Sequence, residues 1–235
     1  MLDIHTHILP NMDDGSKSVK QSKAMLLRES KQGVDLVVLT PHFYAHRDSP
    51  ARFLKRRKQA VAELKQHITG RSKIPTVITG AEVAYFRGMS RVEDIERLRI
   101  RNTDAMLVEM PFCRWDRNMI DDLFFLKESR GVRPILAHIE RYIYYQPLGT
   151  VRMLCEAGIW IQASASFFTS WKTAWLAMRM LKKRKIHFIG SDCHNTTDRP
   201  PNMGEAISRI EKRLGEDAVR YLKCMERRLL GGGVR

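Results

Sequence analysis

Side chains that can bind metal ions recur at the ends of short apolar segments along this sequence. His5 and His7, for example, directly follow the segment Leu2–Ile4, and only the sixth of seven such segments, which ends near Ser164, lacks a candidate. The full set is His5, His7, His42, Glu82, Glu109, His138, Asp192 and His194. A single histidine at a strand end is usually structural, but recurrence over so many segments indicates a common site.

Two pairs of these candidates are separated by one residue. Side chains at positions i and i+2 of an extended strand project to the same face. His5 and His7 can therefore bind one ion together, and Asp192 and His194 repeat the spacing with a carboxylate and an imidazole. The two pairs together indicate a metal site more strongly than either pair alone.

The chemistry of such a site follows from its ligand types. Imidazole and carboxylate ligands without an obligatory thiolate suit manganese, iron(II), zinc or magnesium. The candidates are too many for one ion with about four to six ligands, whereas two or three ions bridged by a carboxylate could use them all. Multinuclear sites activate water and hold a phosphate ester during in-line displacement. The residues therefore predict phosphoester hydrolysis.

Separate parts of the chain must be brought together to build this site. The predicted strands are Leu2–Ile4, Leu36–Leu39, Thr76–Ile78, Ala105–Val108, Pro134–Ala137, Ile159–Ile161 and His187–Ile189. The predicted helices are Lys17–Lys31, Pro50–His67, Met119–Arg130, Thr150–Ala157, Trp171–Arg184 and Gly204–Arg228, with a weaker pattern at Met89–Leu98. This alternation is typical of a parallel α/β sheet. An open sheet fits it, but polar residues at the carboxyl ends of many strands favour a closed barrel.

Length and composition limit the classes of fold and function. The 235 residues suffice for one barrel domain, and 43% hydrophobic with 29% charged residues excludes a disordered chain. The 41 basic residues exceed the 26 acidic ones by +15, which suits a nucleic acid, an anionic membrane or an acidic partner. No segment has the apolar length of a membrane span, and no signal peptide begins the chain. Four cysteines without paired spacing indicate a cytoplasmic location.

Several longer motifs contain the candidate residues. They are Asp3-Ile-His-Thr-His-Ile-Leu-Pro, Asp13-Asp14-Gly15-Ser16-Lys17, Gly80-Ala81-Glu82, Ala137-His138-Ile139-Glu140-Arg141-Tyr142, Gly190-Ser191-Asp192-Cys193-His194-Asn195 and Arg199-Pro200-Pro201. With these motifs the sequence resembles the PHP (polymerase and histidinol phosphatase) superfamily. Within that superfamily it resembles the bacterial capsular-polysaccharide tyrosine phosphatases of the CpsB/CapC/YwqE group.

The resemblance implies a fold and a metal centre. The fold would be a distorted (β/α)7 TIM-like barrel, the PHP fold, forming a single domain over residues 1–235. The centre would hold two or three ions, most naturally manganese, with iron, zinc or magnesium as alternatives. By motif, His5, His7, Glu82 and Asp192 would bind the first ion, Glu82, Glu109 and His138 the second, and Asp14, His42 and His194 the third. Asp13 is an alternative to Asp14, because the pattern does not separate adjacent acids.

The resemblance also implies a substrate and a partner. Arg141 and Arg199 resemble phosphate-binding arginines, and Asp192 and His194 would take part in catalysis with them. The substrate would be a phosphotyrosine protein, namely the tail of a membrane-associated bacterial tyrosine kinase in capsule or exopolysaccharide synthesis. Nucleic acid is not expected as a partner, and the basic surface could lie close to an anionic membrane. Cys193 is not expected to be a nucleophile, because it lacks a phosphate-binding loop with a following arginine.

Two other classes of function remain open. A PHP-type nuclease or a histidinol-phosphate phosphatase would use the same ligand types, and the net charge of +15 is compatible with a nuclease. A basic binding protein could use the same fold as a scaffold, but a scaffold has no need of converging ligands. The oligomeric state is open as well.

Overall fold

The computed structural model describes residues 1–68, 73–147 and 149–231. Its strands are β1 (Leu2–Thr6), β2 (Leu36–Leu39), β3 (His42–Phe43), β4 (Thr76–Thr79), β5 (Glu82–Ala84), β6 (Ala105–Glu109), β7 (Arg133–Leu136), β8 (Trp160–Ser164) and β9 (Phe188–Gly190). All seven predicted strands are therefore confirmed. Two short additional strands, β3 and β5, continue β2 and β4 beyond breaks at residues 40–41 and 80–81. Pro41 contributes to the first break because it has no N–H to donate to a neighbouring strand.

All the strand pairings in the described ranges are parallel. The order is β1-β2-β4 in one part of the sheet and β3-β5-β6-β7-β8-β9 in the other. The segment after β9 returns to β1, because the His7 N–H donates to the Cys193 carbonyl at 2.9 Å and the Asp192 N–H donates to the His5 carbonyl at 2.9 Å. The sheet is thus curled until its last strand lies beside its first. As a result, the carboxyl ends of all the strands face one region.

Helices alternate with the strands. They are α1 (Val19–Lys31), α2 (Pro50–His67), α3 (Arg117–Arg130), α4 (Thr150–Glu156), α5 (Ala165–Thr169), α6 (Ala174–Lys182), α7 (Met203–Leu214) and α8 (Glu216–Gly231). Helix α2 has the predicted bounds, since Ser49 caps its first turn and Pro50 occupies a position where no N–H is needed. Gly131 ends α3 at a φ of 59°, as predicted. None of the helices described is both long and apolar enough to cross a bilayer.

Three helix predictions are wrong in detail. The predicted final helix, Gly204–Arg228, is two helices, because Gly215 adopts a φ of 77° between α7 and α8. The pattern at Met89–Leu98 forms two short 3-10 helices, separated at Asp94, whose φ is 64°. The predicted helix Trp171–Arg184 covers only α6, and the short helix α5 before it was not predicted.

The hydrophobic core has two layers. The larger layer lies between the sheet and the surrounding helices. A smaller cluster, called here the inner cluster, consists mainly of strand side chains: Leu2, Ile4, Val38, Ile100, Ala105, Leu107, Ile135, Ala137, Trp160, Phe188, Met225 and Leu229. Met225 and Leu229 come from α8, so the last helix packs against the inner cluster. The polar strand ends lie beyond the opposite side of the same cluster.

Candidate metal centre

The curled sheet brings all the predicted ligands together at the carboxyl ends of its strands. Three groups have ligand atoms close enough to share an ion, all within 4.8 Å of one another in each group. The groups are His5, His7 and Asp192; His42, Glu82 and Glu109; and His7, Asp14, His42 and His194. They share His7 and His42, so they form one continuous centre.

Glu82 lies at the middle of this centre and is fully buried. Its Oε2 atom is 3.2 Å from His5 Nε2, 3.3 Å from His7 Nε2 and 2.9 Å from His42 Nδ1. Its other oxygen, Oε1, lies 2.8 Å from His138 Nε2. A carboxylate that reaches four imidazoles through two oxygens has the position that a bridging ligand requires.

Asp192 forms a group with His5, on β1, and His7, the residue after β1, where the last and first strands meet. The Nε2 atoms of His5 and His7 lie 3.1 Å apart. Asp192 Oδ1 is 3.7 Å from the first and 3.5 Å from the second. The i, i+2 spacing therefore places both imidazoles on one face, as predicted.

The remaining candidates lie on either side of Glu82. Asp14 Oδ1 is 3.6 Å from His42 Nε2 and 3.4 Å from His194 Nε2. On the other side, His138 Nε2 is 3.4 Å from Glu109 Oε1. The first of these groups corresponds to the ligand set implied for the third ion, and the second to the set implied for the second ion. His42 lies close to residues of both groups.

The adjacent acids Asp13 and Asp14 have different environments. Asp13 Oδ2 lies 2.7 Å from His7 Nδ1 and accepts the His42 backbone N–H at 2.9 Å, while Oδ1 accepts the Gly15 N–H at 2.9 Å. Both oxygens of Asp13 thus have partners outside the centre. The Asp14 side chain is 67% exposed and faces two imidazoles. This favours Asp14 as the ligand and gives Asp13 the role of orienting His7.

Four histidines are held through the ring nitrogen that faces away from the centre. Besides His7, these are His5, whose Nδ1 is 3.3 Å from Gln162 Oε1, and His138, whose Nδ1 is 2.8 Å from Tyr142 Oη. The Nδ1 of His194 is 3.0 Å from the Asp192 carbonyl oxygen. A proton on each Nδ1 leaves the Nε2 lone pair free for a metal, which is the usual arrangement of metal-binding histidines.

Sequence reasoning missed Gln162 and Tyr142. Gln162 lies on β8, the one strand without a ligand at its end, and accepts the His138 backbone N–H at 2.6 Å as well as contacting His5. Tyr142 is fully buried and follows His138 by four residues. The only signal in the sequence was the place of Gln162 on that strand and of Tyr142 within the longer motif.

Two of the site residues have unusual backbone conformations. His138 has a φ of 31° and Asp192 a φ of 53°, both in the left-handed region that side chains other than glycine seldom adopt. Each is the second residue after the end of a strand, His138 after β7 and Asp192 after β9. Strain of this kind persists where the surrounding contacts hold a side chain in a required position, here toward the centre.

The pKa values of the site residues reflect strong interactions between clustered acids and imidazoles. Burial by itself would raise the pKa of Glu82, but the neighbouring imidazoles of His5 and His138 bring it well below its usual value. Conversely, burial would lower the pKa of His138, but Glu109 and Glu82 raise it to about 9. Protons on histidines thus compensate the acids, and metal ions would supply the same positive charge.

Buried atoms without partners test whether cations fit here. Glu82 Oε2, His42 Nδ1 and His194 Nε2 are buried, and none of them makes a well-aligned hydrogen bond to a described residue. The 2.9 Å approach of Glu82 Oε2 to His42 Nδ1 lacks hydrogen-bond geometry. Such orphaned atoms are costly unless something else satisfies them. All three face the centre and are of types that bind divalent cations, so the residues fit metal ions.

Arg141 and Arg199 converge on the outer side of the centre. Arg141 Nη2 lies 2.5 Å and Arg199 Nη2 2.7 Å from the same oxygen, Asp192 Oδ2. Their side chains are 36% and 41% exposed, so both remain accessible from solvent. Asp192 therefore links the arginines on one oxygen to the histidines on the other.

The fold and the site together define a class of protein in which a curled parallel sheet carries a cluster of candidate metal-binding histidines and carboxylates at one end. Within that class the chain belongs to the family described as "Capsular polysaccharide synthesis, CpsB/CapC", which matches residues 1–229. This confirms the resemblance that the motifs indicated.

The chain is similar to characterised members over most of its length. It is 29% identical to the tyrosine-protein phosphatase YwqE of Bacillus subtilis, covering 92% of this chain and 86% of that protein. It is 28% identical to the tyrosine-protein phosphatase CpsB of Streptococcus pneumoniae, with 94% of both covered. The solved structures of YwqE and CpsB, described as unique metal-dependent tyrosine phosphatases, include a chain that superposes with a TM-score of 0.83 at 27% identity. That match covers 100% of this chain and 96% of the other.

Proposed function

We propose that this protein is a metal-dependent phosphatase that hydrolyses phosphotyrosine in proteins. The observation that carries the proposal is the joint arrangement of Glu82 among four imidazoles with two arginines on the open side of the centre. The names of the relatives support tyrosine phosphate as the substrate. An aryl phosphate ester also has a better leaving group than an alkyl phosphate ester.

Two or three ions, most naturally manganese, would occupy the centre. His5, His7 and Asp192 would hold one, Glu82, Glu109 and His138 a second, and Asp14, His42 and His194 a third, with Glu82 between the first two. Ions bound there would supply Lewis-acid stabilisation of the developing charge and a water molecule activated for attack. The hydrogen bonds of the imidazole Nδ1 atoms to Gln162, Asp13 and Tyr142 would keep the rings oriented for this role.

Arg141 and Arg199 would bind the phosphoryl oxygens. Their guanidinium groups present pairs of N–H donors that match phosphate and keep their charge at any working pH. Asp192 holds both groups in the free protein, so the arginines are already at the rim when substrate arrives. His194 lies close to the same carboxylate, with its Nδ1 3.7 Å from Asp192 Oδ1.

The leaving group explains the preference for tyrosine. A phenolate, with a pKa of about 10, leaves with less help from a general acid than the alkoxide of serine does. Cys193 is not a nucleophile in this mechanism. Burial, followed by the charges of Glu29 and Asp3, raises the pKa of its thiol well above the usual value.

We also propose the fold type, domain extent, substrate and compartment that the resemblance implies. The curled sheet would be a distorted (β/α)7 barrel of the PHP type, and residues 1–235 would form one domain. A phosphorylated tail of a membrane-associated tyrosine kinase would be the substrate, and the enzyme would act in the cytoplasm. Support for that compartment comes from the four cysteines, all described and all free.

The test compares substrates and metals on the purified protein. Chelated protein and protein reloaded with manganese are assayed on a phosphotyrosine peptide, a phosphoserine peptide, histidinol phosphate and single-stranded DNA. We expect metal-dependent hydrolysis with the phosphotyrosine peptide as the preferred substrate. Degradation of DNA without peptide hydrolysis would favour a nuclease, and preference for histidinol phosphate would favour the other alternative.

Two variants locate the chemistry. Asp192→Ala is expected to lose both metal and activity, because one carboxylate serves the histidines and the arginines. Cys193→Ser is the matched control on the neighbouring residue and is expected to keep most of both. A Cys193→Ser protein that is folded and loaded with metal, yet inactive, would contradict the mechanism.

A further inference from the structure

A polar cavity opens directly beside the metal centre. Its volume is about 470 Å³, and its lining includes Asp14, His42, Tyr44, Arg47, Asp48 and Arg56. Two of these, Asp14 and His42, belong to the proposed ligand set. Anything bound in the cavity would therefore lie next to a phosphoryl group held at the centre.

Three side chains form a stack from the centre to the surface along this cavity. The ring of Tyr44 lies against the ring of His42, with centroids 5.1 Å apart and planes at 27°. The guanidinium of Arg47 lies over the Tyr44 ring, 4.9 Å from its centroid. Tyr44 is half-buried and Arg47 is exposed. A cation held over an aromatic face in this way is restrained without losing its hydrogen-bonding capacity.

The turn that carries the stack is itself anchored. The Tyr44 carbonyl accepts the N–H of Arg47 at 2.9 Å and that of Asp48 at 3.1 Å. The Asp48 carboxylate accepts Arg56 Nη1 at 2.9 Å, and Arg56 Nη2 donates to the Met12 carbonyl at 3.0 Å. Arg47 thus lies in a turn that is held at Tyr44 by backbone hydrogen bonds and at Asp48 by Arg56.

Among the described residues that line the cavity, Arg47 is a cation without a carboxylate partner. Arg56 is paired with Asp48. Asp13 is bound to His7, and Asp14 faces His42 and His194. Arg47 Nε donates to His46 Nε2 at 3.2 Å, but no carboxylate among the described residues lies within ion-pairing distance of its guanidinium. Its Nη groups remain available to an anion from outside.

We propose that Arg47, held by Tyr44, binds a carboxylate of the substrate peptide on a residue next to the phosphotyrosine. This rests on the proposed function, which supplies a peptide whose phosphoryl group is fixed at the centre. The cavity then receives the neighbouring side chain. A glutamate or aspartate there pairs with Arg47, which has no carboxylate partner among the described residues, whereas a lysine is repelled by it. The enzyme therefore prefers acidic sequences around its target tyrosine.

The test measures both turnover and binding with a matched set of peptides. Each has alanine, glutamate or lysine immediately before or immediately after the phosphotyrosine. A second set carries a non-hydrolysable phosphonate in place of the phosphate, so that binding to the manganese-loaded protein is measured without turnover. The comparison of the two flanking positions identifies the side on which the acidic residue is read.

For the wild-type protein we expect a preference for glutamate over alanine of about five- to tenfold, in kcat/KM and in binding of the phosphonates, as for a hydrogen-bonded charge pair. That ratio should fall to near one in Arg47→Gln and weaken in Tyr44→Ala. It should persist in Arg101→Gln, which removes the same charge from an exposed residue that does not line the cavity. Tyr44→Phe keeps the ring and should keep the ratio.

The outcomes separate this proposal from the proposed function. A wild-type ratio near one, or a ratio that survives in Arg47→Gln, would overturn the carboxylate subsite even if the peptides are hydrolysed. Binding of phosphonate peptides with the expected ratio, but without hydrolysis of any phosphotyrosine peptide, would support the subsite and contradict the phosphatase. Absence of binding by every peptide would overturn the subsite.

Discussion

At the scale of single residues, the geometry of the centre depends on side chains outside the proposed ligand set. Gln162 is the clearest example, since its amide oxygen accepts the His138 backbone N–H at 2.6 Å and lies 3.3 Å from His5 Nδ1. One oxygen thus orients ligands from two different strands. Because glutamine also occurs in strands without any such role, its residue type does not predict that it orients ligands. The ligands themselves were predictable because histidine and acid types are rare at buried strand ends.

The first prediction concerns Gln162. Gln162→Met keeps the approximate size of the side chain but removes the acceptor, so His5 loses the partner that fixes its proton on Nδ1. We expect manganese affinity to fall by about 10–100-fold, the usual cost of removing such a partner. Calorimetric titration of the chelated protein with manganese measures this.

The matched control is Gln146→Met. Gln146 hydrogen-bonds the backbone at Trp115 and Cys113 and contacts none of the proposed ligands. Manganese affinity should be unchanged in this variant. Equal affinities for the two variants would show that Gln162 does not orient the ligands.

At the scale of elements, local sequence signals set the helix ends where one residue decides the backbone. Pro50 after Ser49 starts α2, and Gly131 ends α3, both as predicted. Gly215 is a comparable signal, but the amphipathic pattern continues across it and predicts one helix where the structure has two. The two short breaks at residues 40–41 and 80–81 were not predicted. They lie where the pairing changes from one part of the curled sheet to the other, and this depends on neighbouring strands that are distant in sequence.

The second prediction concerns the packing of α8 against the inner cluster. Leu229 is fully buried there, whereas the next residue, Leu230, is 40% exposed. Leu229→Ala should lower the free energy of unfolding by about 2–5 kcal/mol, as for other buried leucines. Leu230→Ala is the matched control and should change it by less than about 0.5 kcal/mol.

The same pair of variants tests where the metal centre lies. The inner cluster separates α8 from the strand ends that carry the ligands, so Leu229→Ala should retain manganese affinity at a temperature where it is folded. Thermal unfolding followed by circular dichroism gives stability, and titration gives affinity. A large loss of affinity in the folded variant would contradict this separation.

The third prediction concerns His187, which joins β8 to β9. Its Nδ1 accepts the Ile161 N–H at 3.1 Å, and its own N–H donates to the Ile161 carbonyl at 2.9 Å. Burial, aided by the charge of Arg228, lowers the pKa of His187 to about 4 from an ordinary value of 6.5. The folded state thus favours the neutral ring, which is the form that accepts this hydrogen bond.

The sign of the pH effect follows from the lowered pKa. Between pH 6.5 and about 4 the unfolded chain binds a proton at this histidine that the folded protein does not. The stability contributed by neutral His187 is therefore complete above pH 6.5 and is lost as the pH falls toward 4. Denaturant unfolding at a series of pH values should show a shallower decline over that window for His187→Gln. Parallel curves for variant and wild type would contradict the assignment.

At the scale of the whole molecule, the net charge of +15 surrounds an acidic centre. The acids of the site are mostly buried, whereas many basic side chains lie exposed on helices, such as Lys55 and Lys58 on α2 and Lys212 and Arg213 on α7. Burial thus decides which charges face solvent. An acidic substrate approaching from solvent therefore meets a positive surface before it reaches the centre.

The fourth prediction follows from that surface. Attraction between exposed charges is screened over about 30 Å at 0.01 M salt and about 10 Å at 0.1 M. The kcat/KM for a phosphotyrosine peptide rich in glutamate should therefore fall by roughly tenfold between low and physiological ionic strength, mainly through slower association. A small aryl phosphate provides the control on the same protein, because it carries the reacting group without the additional negative charges and should show a smaller decline. Equal salt dependence for the two substrates would mean that the basic surface acts only on the phosphoryl group, and that the excess of lysine and arginine does not recruit acidic peptides.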